Sequence, residues 1–518
     1  MRLKNGGRLL TAEEYRDSLR SYRPRVFING DLVESVADDP RLAPGIRAVG
    51  VTYDFAQRPE FGGLMLAEQH SSGKTVNRML HINRSTDDLL SKLEAVRLLC
   101  RESGCAQRYL THDALNAIYQ STRRLDDSLS HSEYGDRFVD YLHDIQDRDL
   151  TLGVAMTDAK GDRSQRPHQQ NNPDSYVHIV ARSEKGIVIS GTKAIVTGAP
   201  YMHELLVMPC RTMTADDADF AVCCAVPLDA PGLTIISRVA GRPGDAEAKF
   251  SAKFGQSTAV CQFDEVFVPW SRVFMAGEWD HTEHLVTSYA NHHRHSCIGA
   301  RAGFGDLLIG AGALMIESNG LNMDSVPHLR ESMVELIKIV EGFFACGVAA
   351  SVYGVQDSSQ TYMPEPVFSN VGKLLLATQI YDMHRVAHEV SGGLIVALPG
   401  PDEDHNPHTS ADLAAVLGAR ADIPHAQRME VSRFLGDLTA SSTGGWYSVI
   451  SLHGGGSPQA MKREIYRRYP IEERKALVER LLDRGVLDTN ESGAPPRQAQ
   501  PGQCCDTGCT PPANPENG

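Results

Sequence analysis

Between residues 150 and 273 the chain abandons the helical period and becomes a series of short β-branched runs cut by Gly, Pro and Asp turns. On either side, apolar residues recur three and four apart, as in Leu89, Leu90, Leu93 and Val96. A chain patterned in this way must bury one sheet-forming block between two helix-forming blocks, which makes it an α+β protein. The reading divides it into a mainly helical segment (1–149), a central β segment (150–275), a C-terminal helical segment (276–485) and a Cys/Pro-rich tail (486–518) expected to be disordered.

Local signals sharpen this outline. Thr11 followed three residues later by Glu14 predicts a capped helix start, and Asn29-Gly30 between β-prone runs predicts a hairpin over 25–34. Long helices are expected over 329–353, 367–390 and 423–434, with the acidic, Pro-rich stretch 399–407 as a surface loop. A formal charge of −14 disfavours nucleic acid and anionic membranes as partners. The first residues carry no apolar signal core and no later segment is expected to span a bilayer, so the expected location is cytoplasmic. Eleven cysteines in 518 residues are too sparse for a disulfide framework; Cys504, Cys505 and Cys509 lie in the tail and receive no catalytic role.

Two segments point to chemistry. Ala155-Met156-Thr157-Asp158-Ala159-Lys160-Gly161-Asp162-Arg163 follows an apolar run and should be a strand end opening into a loop of backbone donors. Gly191-Thr192-Lys193-Ala194-Ile195-Val196-Thr197-Gly198 follows about thirty residues on. Together they suit a flavin, whose pyrimidine edge needs backbone donors and whose N5 edge a hydroxyl such as Thr197 can reach. The run His292-His293-Arg294-His295 gives no metal site, because His293 and His295 diverge on a helix.

These pieces, with Phe263-Asp264-Glu265-Val266-Phe267-Val268-Pro269, Gly392-Gly393 and Gly454-Gly455-Gly456-Ser457-Pro458-Gln459, resemble the superfamily of 4-hydroxyphenylacetate 3-monooxygenase large components and 4-hydroxybutyryl-CoA dehydratases. The resemblance runs from about residue 10 to 480 and is closer in wording to the dehydratases. It implies an acyl-CoA-dehydrogenase-like fold, a homotetramer, and FAD held by Val154, Ala155, Met156, Lys160, Gly161, Asp162, Arg163 and Thr197, with Gly456 and Ser457 from the later loop.

The dehydratase branch carries a [4Fe–4S] cluster on three cysteines and a histidine. Cys105 and His293 match two of those positions, but Tyr109 and Ala300 occupy the others, and Cys297 and Ile450 replace a tyrosine and a glutamate of that branch. Cys100 is five residues from Cys105, about 140° away on a helix, and tyrosine and alanine cannot stand in for thiolates. No iron–sulfur cluster is therefore expected. Without one, the resemblance implies a two-component monooxygenase that takes FADH2 from a separate reductase and hydroxylates an aromatic, phenolic substrate through a flavin C4a-hydroperoxide. Arg108, His112 and His293 would face that substrate, although Val154 stands where the hydroxylases have a histidine. The alternatives are a cluster-free lyase, isomerase or dehydrogenase acting on a CoA thioester, and a non-catalytic flavin-binding subunit.

Overall fold

The computed structural model describes residues 8–129 and 133–482. The tail with Cys504, Cys505 and Cys509 lies outside the described residues. The chain divides into two compact units, 1–468 and 469–518, and the first contains every element discussed below. In the second, the described part is the helix Ile471–Leu481.

The capped start forms as expected: helix Ala12–Leu19 opens with Thr11 and Glu14 satisfying each other's backbone amides. Helices Ala43–Ala56, Thr86–Ser103, Tyr109–Ser128 and Tyr134–Asp147 follow. Two sheets then pack between the helical blocks. The four-stranded sheet runs Val273–Ala276, Val222–Pro227, Glu204–Val207, Leu152–Ala155, and the six-stranded sheet places Gly186–Thr197 between Thr258–Pro269 and His178–Ser183.

The hairpin turn falls at Asn29 and Gly30, both at positive φ as a two-residue turn requires. Its first strand, Arg25–Ile28, pairs in parallel with Leu233–Ser237. The hairpin assigned to the helical segment is therefore part of the central sheet. Parallel pairing across two hundred residues leaves no local trace, which explains why the sequence does not reveal it. The stretch expected as an open loop at 399–407 holds a short 3₁₀ turn, Pro401–His405.

The C-terminal block is built on helices Thr282–Ser318, Pro327–Val352 and Pro366–Ser391, whose Ile298, Phe304, Phe343, Ile380 and Met383 share one core with Leu93, Val96 and Leu99. Contrary to expectation, the segment Trp279–Ser318 is long and apolar enough to cross a membrane by length and composition. However, 67% of its apolar window is buried inside the fold, and His293, Arg294 and Arg301 lie along it. Its apolarity is that of a core helix.

Gly299 and Gly303, one turn apart on that helix, allow it to lie against helix Thr86–Ser103. A Cβ would come within 2.7 Å of the Leu93 carbonyl oxygen at Gly299, and within 2.5 Å of the Arg97 carbonyl oxygen at Gly303. This contact sets the spacing between the two helices that carry Lys92 and His293. Gly303→Ala should therefore destabilise the protein by about 1–3 kcal/mol through overpacking. Chemical denaturation checks this, and an unchanged midpoint would contradict the close contact.

Candidate active site

The loop after strand Leu152–Ala155 is pinned by a buried ion pair that the sequence reading overlooked. Lys193 Nζ lies 2.7 Å from Asp158 Oδ1 and also donates to the Met156 and Met208 carbonyl oxygens at 3.0 and 2.7 Å. Every proton of this buried ammonium has an acceptor, which is the condition for burying it. The available signal was a lone lysine and a lone aspartate in two otherwise β-like stretches.

Thr197 is half-buried with its hydroxyl uncommitted, and Lys160 and Arg163 have no ion-pair partner among the described residues. Ile195, β-branched and 66% exposed, holds φ +60° in the same strand, a strained conformation that persists at sites shaped for a ligand. These features fit a flavin: a free hydroxyl for the ring edge, an apolar surface beside it, and two unspent cations for the pyrophosphate. Val154 and Ala155 are buried strand residues, and Met156 offers the loop a half-buried side chain. Asp162 has an exposed carboxylate already bonded to the Ser164 amide and hydroxyl, and Gln170 brackets its backbone. Asp162 and Gly161 therefore shape the loop.

The second group of residues gathers around Asp113, which is fully buried on helix Tyr109–Ser128. Its carboxylate accepts from Ser296 Oγ at 2.6 Å, lies 3.1 Å from His293 Nδ1 and sits 3.5 Å from Lys92 Nζ. Burial alone would raise the carboxyl's pKa, but Lys92, His112 and His293 outweigh it and hold the group well below the usual carboxylate range. On the opposite side of His293, Nε2 lies 3.6 Å from Cys297 Sγ. The order Cys297, His293, Asp113 is that of a nucleophile or base, an imidazole, and the carboxylate that orients it.

Burial pushes the Cys297 thiol up, but His293, with Lys373 and Arg301 behind it, prevails and brings it down to about 7. Burial likewise disfavours charge on His293, and Cys297 and Asp113 overcome it, taking the imidazole up to about 9. The two opposite shifts and the Sγ–Nε2 contact favour a thiolate–imidazolium pair. Tyr289 stacks on the His293 ring at 5.4 Å between centroids and Tyr109 lies parallel at 6.3 Å, so the imidazole is fixed between two aromatic faces.

Of the three residues expected to face a substrate, the structure places His293 in this group, Arg108 outside it and His112 beside Asp113. Arg108 does not join this group: Nη2 pairs with Asp149 Oδ1 at 2.5 Å and donates to the Leu150 carbonyl at 3.0 Å, while the guanidinium lies 4.2 Å from the Tyr53 ring centroid. It is completely buried, and this lock holds the start of strand Leu152–Ala155. Its partner is Asp149; Asp113 is taken by His293. His112 is also completely buried, against Asn116 and 3.8 Å from Asp113, and burial takes it down to about 4, so it is neutral and a weak base.

The Gly454–Ser457 loop reaches the same pocket. Gly455, at φ +77°, accepts at its carbonyl oxygen from Arg294 Nε at 2.9 Å, and a Cβ there would lie 3.4 Å from the His293 ring and 3.7 Å from Lys373 Cε. Gly456 follows at φ +101°, and Ser457 is exposed beyond it.

The donors at the position of an iron–sulfur cluster do not fit one. Cys105 Sγ meets the Tyr109 hydroxyl at 3.4 Å, Ala300 is a buried methyl, and His293 is engaged on both nitrogens by Asp113 and Cys297. Helix Thr86–Ser103 ends before Cys105, so the expected 140° separation of Cys100 from Cys105 does not apply, and Cys100, Cys105 and Cys297 lie near one another; even so, no group of three or more His, Cys, Asp or Glu among the described residues is arranged to hold a metal ion.

Helices, a two-sheet β block and helices again, enclosing this buried ionisable cluster, define an α+β protein. The chain belongs to the 4-hydroxyphenylacetate 3-hydroxylase family, whose N-terminal model matches residues 11–275 and whose C-terminal model matches 282–483. It is 35% identical over 486 residues to the 4-hydroxybutyryl-CoA dehydratase/vinylacetyl-CoA-Delta-isomerase of Clostridium aminobutyricum, covering 91% of this chain and 98% of that protein. It is 24% identical over 477 residues to the 4-hydroxyphenylacetate 3-monooxygenase oxygenase component of Thermus thermophilus, covering 91% and 97%. Among solved structures, the oxygen-tolerant archaeal 4-hydroxybutyryl-CoA dehydratase from N. maritimus matches with a TM-score of 0.88 and 33% identity, over 95% of this chain and 98% of that one.

The ion pair has a direct signature. A difference spectrum, wild type minus Cys297→Ser, should show thiolate absorbance growing in as pH rises through about 7, because the thiol's pKa is lowered and the thiolate exists above it. Asp113→Asn should move that midpoint upward, and a wild-type midpoint at or above an ordinary thiol's, near roughly 8.5, would contradict the assignment. Asp149→Asn, by contrast, should cost about 3 kcal/mol or more of stability, because it strands a buried guanidinium, and should leave the thiolate midpoint in place.

Proposed function

We propose that the protein binds FAD and catalyses proton transfer at carbon in an acyl-CoA thioester, an isomerisation of the 1,3 type. The observation that carries this reading is the buried Cys297–His293–Asp113 chain, with Sγ–Nε2 and Nδ1–Oδ2 separations of 3.6 and 3.1 Å, which Arg108 does not join. The likeness to the Clostridium aminobutyricum dehydratase and Delta-isomerase supports the thioester as substrate class.

The chemistry needs neither iron nor an external oxidant. The Cys297 thiolate takes a proton from the carbon next to the thioester carbonyl, the released electron pair shifts the double bond into conjugation, and the far carbon takes a proton in turn. The thiol formed at Cys297, beside the His293 imidazolium, is the donor for that return. Asp113 keeps Nδ1 bonded, so that Nε2 faces the sulfur throughout. Tyr109 and Tyr289 flank the imidazole, and burial strengthens each charge interaction around it. Thr197, Lys160, Arg163 and the 156–162 backbone would hold FAD, which would supply an electron-accepting surface beside the substrate.

A phenol monooxygenase fed by a reductase remains the competing assignment, supported by the family model and the oxygenase relatives. That reading expects Arg108 to face the substrate, whereas its guanidinium is committed to Asp149 and Tyr53.

Incubation of the FAD-loaded protein with vinylacetyl-CoA in D2O without oxygen should yield the conjugated isomer carrying deuterium at the far carbon. Cys297→Ala should slow this by about 10²–10⁴-fold, the usual weight of a positioned acid or base. No conversion, together with hydroxylation of 4-hydroxyphenylacetate that depends on reduced FAD and O2, would overturn the proposal in favour of the oxygenase.

A further inference from the structure

Most buried cations in this protein face a carboxylate: Lys193 faces Asp158, Arg108 faces Asp149, and Lys92 faces Asp113. The three beside Cys297 do not. Lys373, fully buried on helix Pro366–Ser391, donates to a single oxygen acceptor, the Ser451 carbonyl, at 2.7 Å. Arg301 donates to the Ser451 hydroxyl at 2.6 Å and the Tyr447 hydroxyl at 3.1 Å, with its guanidinium 4.3 Å from the Tyr447 ring centroid. Arg294 donates to the Gly455 carbonyl at 2.9 Å and Asn370 Oδ1 at 2.8 Å. Among the described residues, none of the three has a carboxylate within 4.0 Å.

Burying charge without a counter-charge is costly, and neutral acceptors compensate only part of it. The Cys297 thiolate is shared by His293, Lys373 and Arg301, and Glu464 favours the charge on Arg294 only from beyond ion-pair distance, so a positive excess remains between helices Thr282–Ser318 and Pro366–Ser391. Lys373 has three N–H donors and one acceptor, leaving two unspent. Gly455 keeps a side chain out of the space over Lys373 and His293, where a Cβ would lie in contact with both.

We infer that Lys373, Arg301 and Arg294, under the Gly454–Gly456 loop, form a binding site for an oxyanion of the substrate. The ligand is the enolate oxygen that forms on a thioester carbonyl when the adjacent carbon loses its proton. The carbonyl oxygen gains charge beside Lys373 as Cys297 gains the proton, so the same pocket holds base and oxyanion site. This assignment of the oxygen's source rests on the proposed thioester chemistry, whereas the site itself rests on the uncompensated cations.

Two probes separate these claims. Acetoacetyl-CoA ionises to an enolate with its own near-ultraviolet absorbance, and 4-hydroxyphenylacetate is a carboxylate without a thioester. Titration of each into the FAD-loaded protein, and into Lys373→Met and Arg294→Met, reads binding by calorimetry and ionisation by absorbance. Acetoacetyl-CoA should bind as the enolate at a pH where the free compound is mostly ketone. Its affinity should fall at least about tenfold, equivalent to about 1.4 kcal/mol, in either variant. Thermal midpoints should be unchanged or raised in variants that remain folded, because an uncompensated buried charge has been removed. Binding of 4-hydroxyphenylacetate alone, with the same dependence on Lys373, would keep the anion site and overturn the thioester. Binding of acetoacetyl-CoA as the ketone, equal affinity in both variants, or no binding of either probe would overturn the oxyanion site.

Discussion

The carboxylate of Asp113 is the group on which the pocket depends. It joins three helices, Thr86–Ser103 through Lys92, Tyr109–Ser128 through its own backbone, and Thr282–Ser318 through His293 and Ser296. A buried carboxylate can remain ionised only if charge and hydrogen bonds surround it, and here two cations and a hydroxyl do so. That negative charge makes a protonated His293 favourable, and the protonated His293 in turn makes a buried Cys297 thiolate favourable. Small residues at Gly299 and Gly303 bring the helices close enough for the arrangement to close. Fold and chemistry meet in this one ionised side chain.

Much of the architecture was readable from periodicity, because helix and strand leave different repeats in sequence. The β block, the capped helix at Thr11 and the Asn29-Gly30 turn all come from local rules. The parallel pairing of Arg25–Ile28 with Leu233–Ser237 escaped because nothing near either strand records its partner. The length and apolarity of helix Thr282–Ser318 also escaped the sequence reading, which expected no segment of membrane-spanning length; apolarity facing a core and apolarity facing lipid look alike in sequence.

Within the site, His293 and the cradle loop were legible as motifs, whereas the partners that give them their properties were not. Asp113 and Lys92 are ordinary helix residues until the fold places them within 3.5 Å of each other. Arg108 shows the reverse case. Position suggested a substrate contact, yet Asp149, at φ +51°, turns its carboxylate back to hold the guanidinium. Ion pairing across a fold is set by tertiary approach, and sequence separation carries little of it. Cys297, seen in sequence only as a replaced tyrosine, becomes the reactive group because its helix places it one turn from His293.

The pocket therefore holds protons and charges where the dehydratase branch was expected to hold iron and sulfide. Iron and acid-labile sulfide analysis of the FAD-containing protein, purified without oxygen, tests this most directly. Trace amounts, well below one iron per chain, are the result this account predicts. About four irons per chain with matching sulfide would show that Cys105, His293 and Cys297 serve as cluster ligands, and would contradict the ion pair at the centre of the structure.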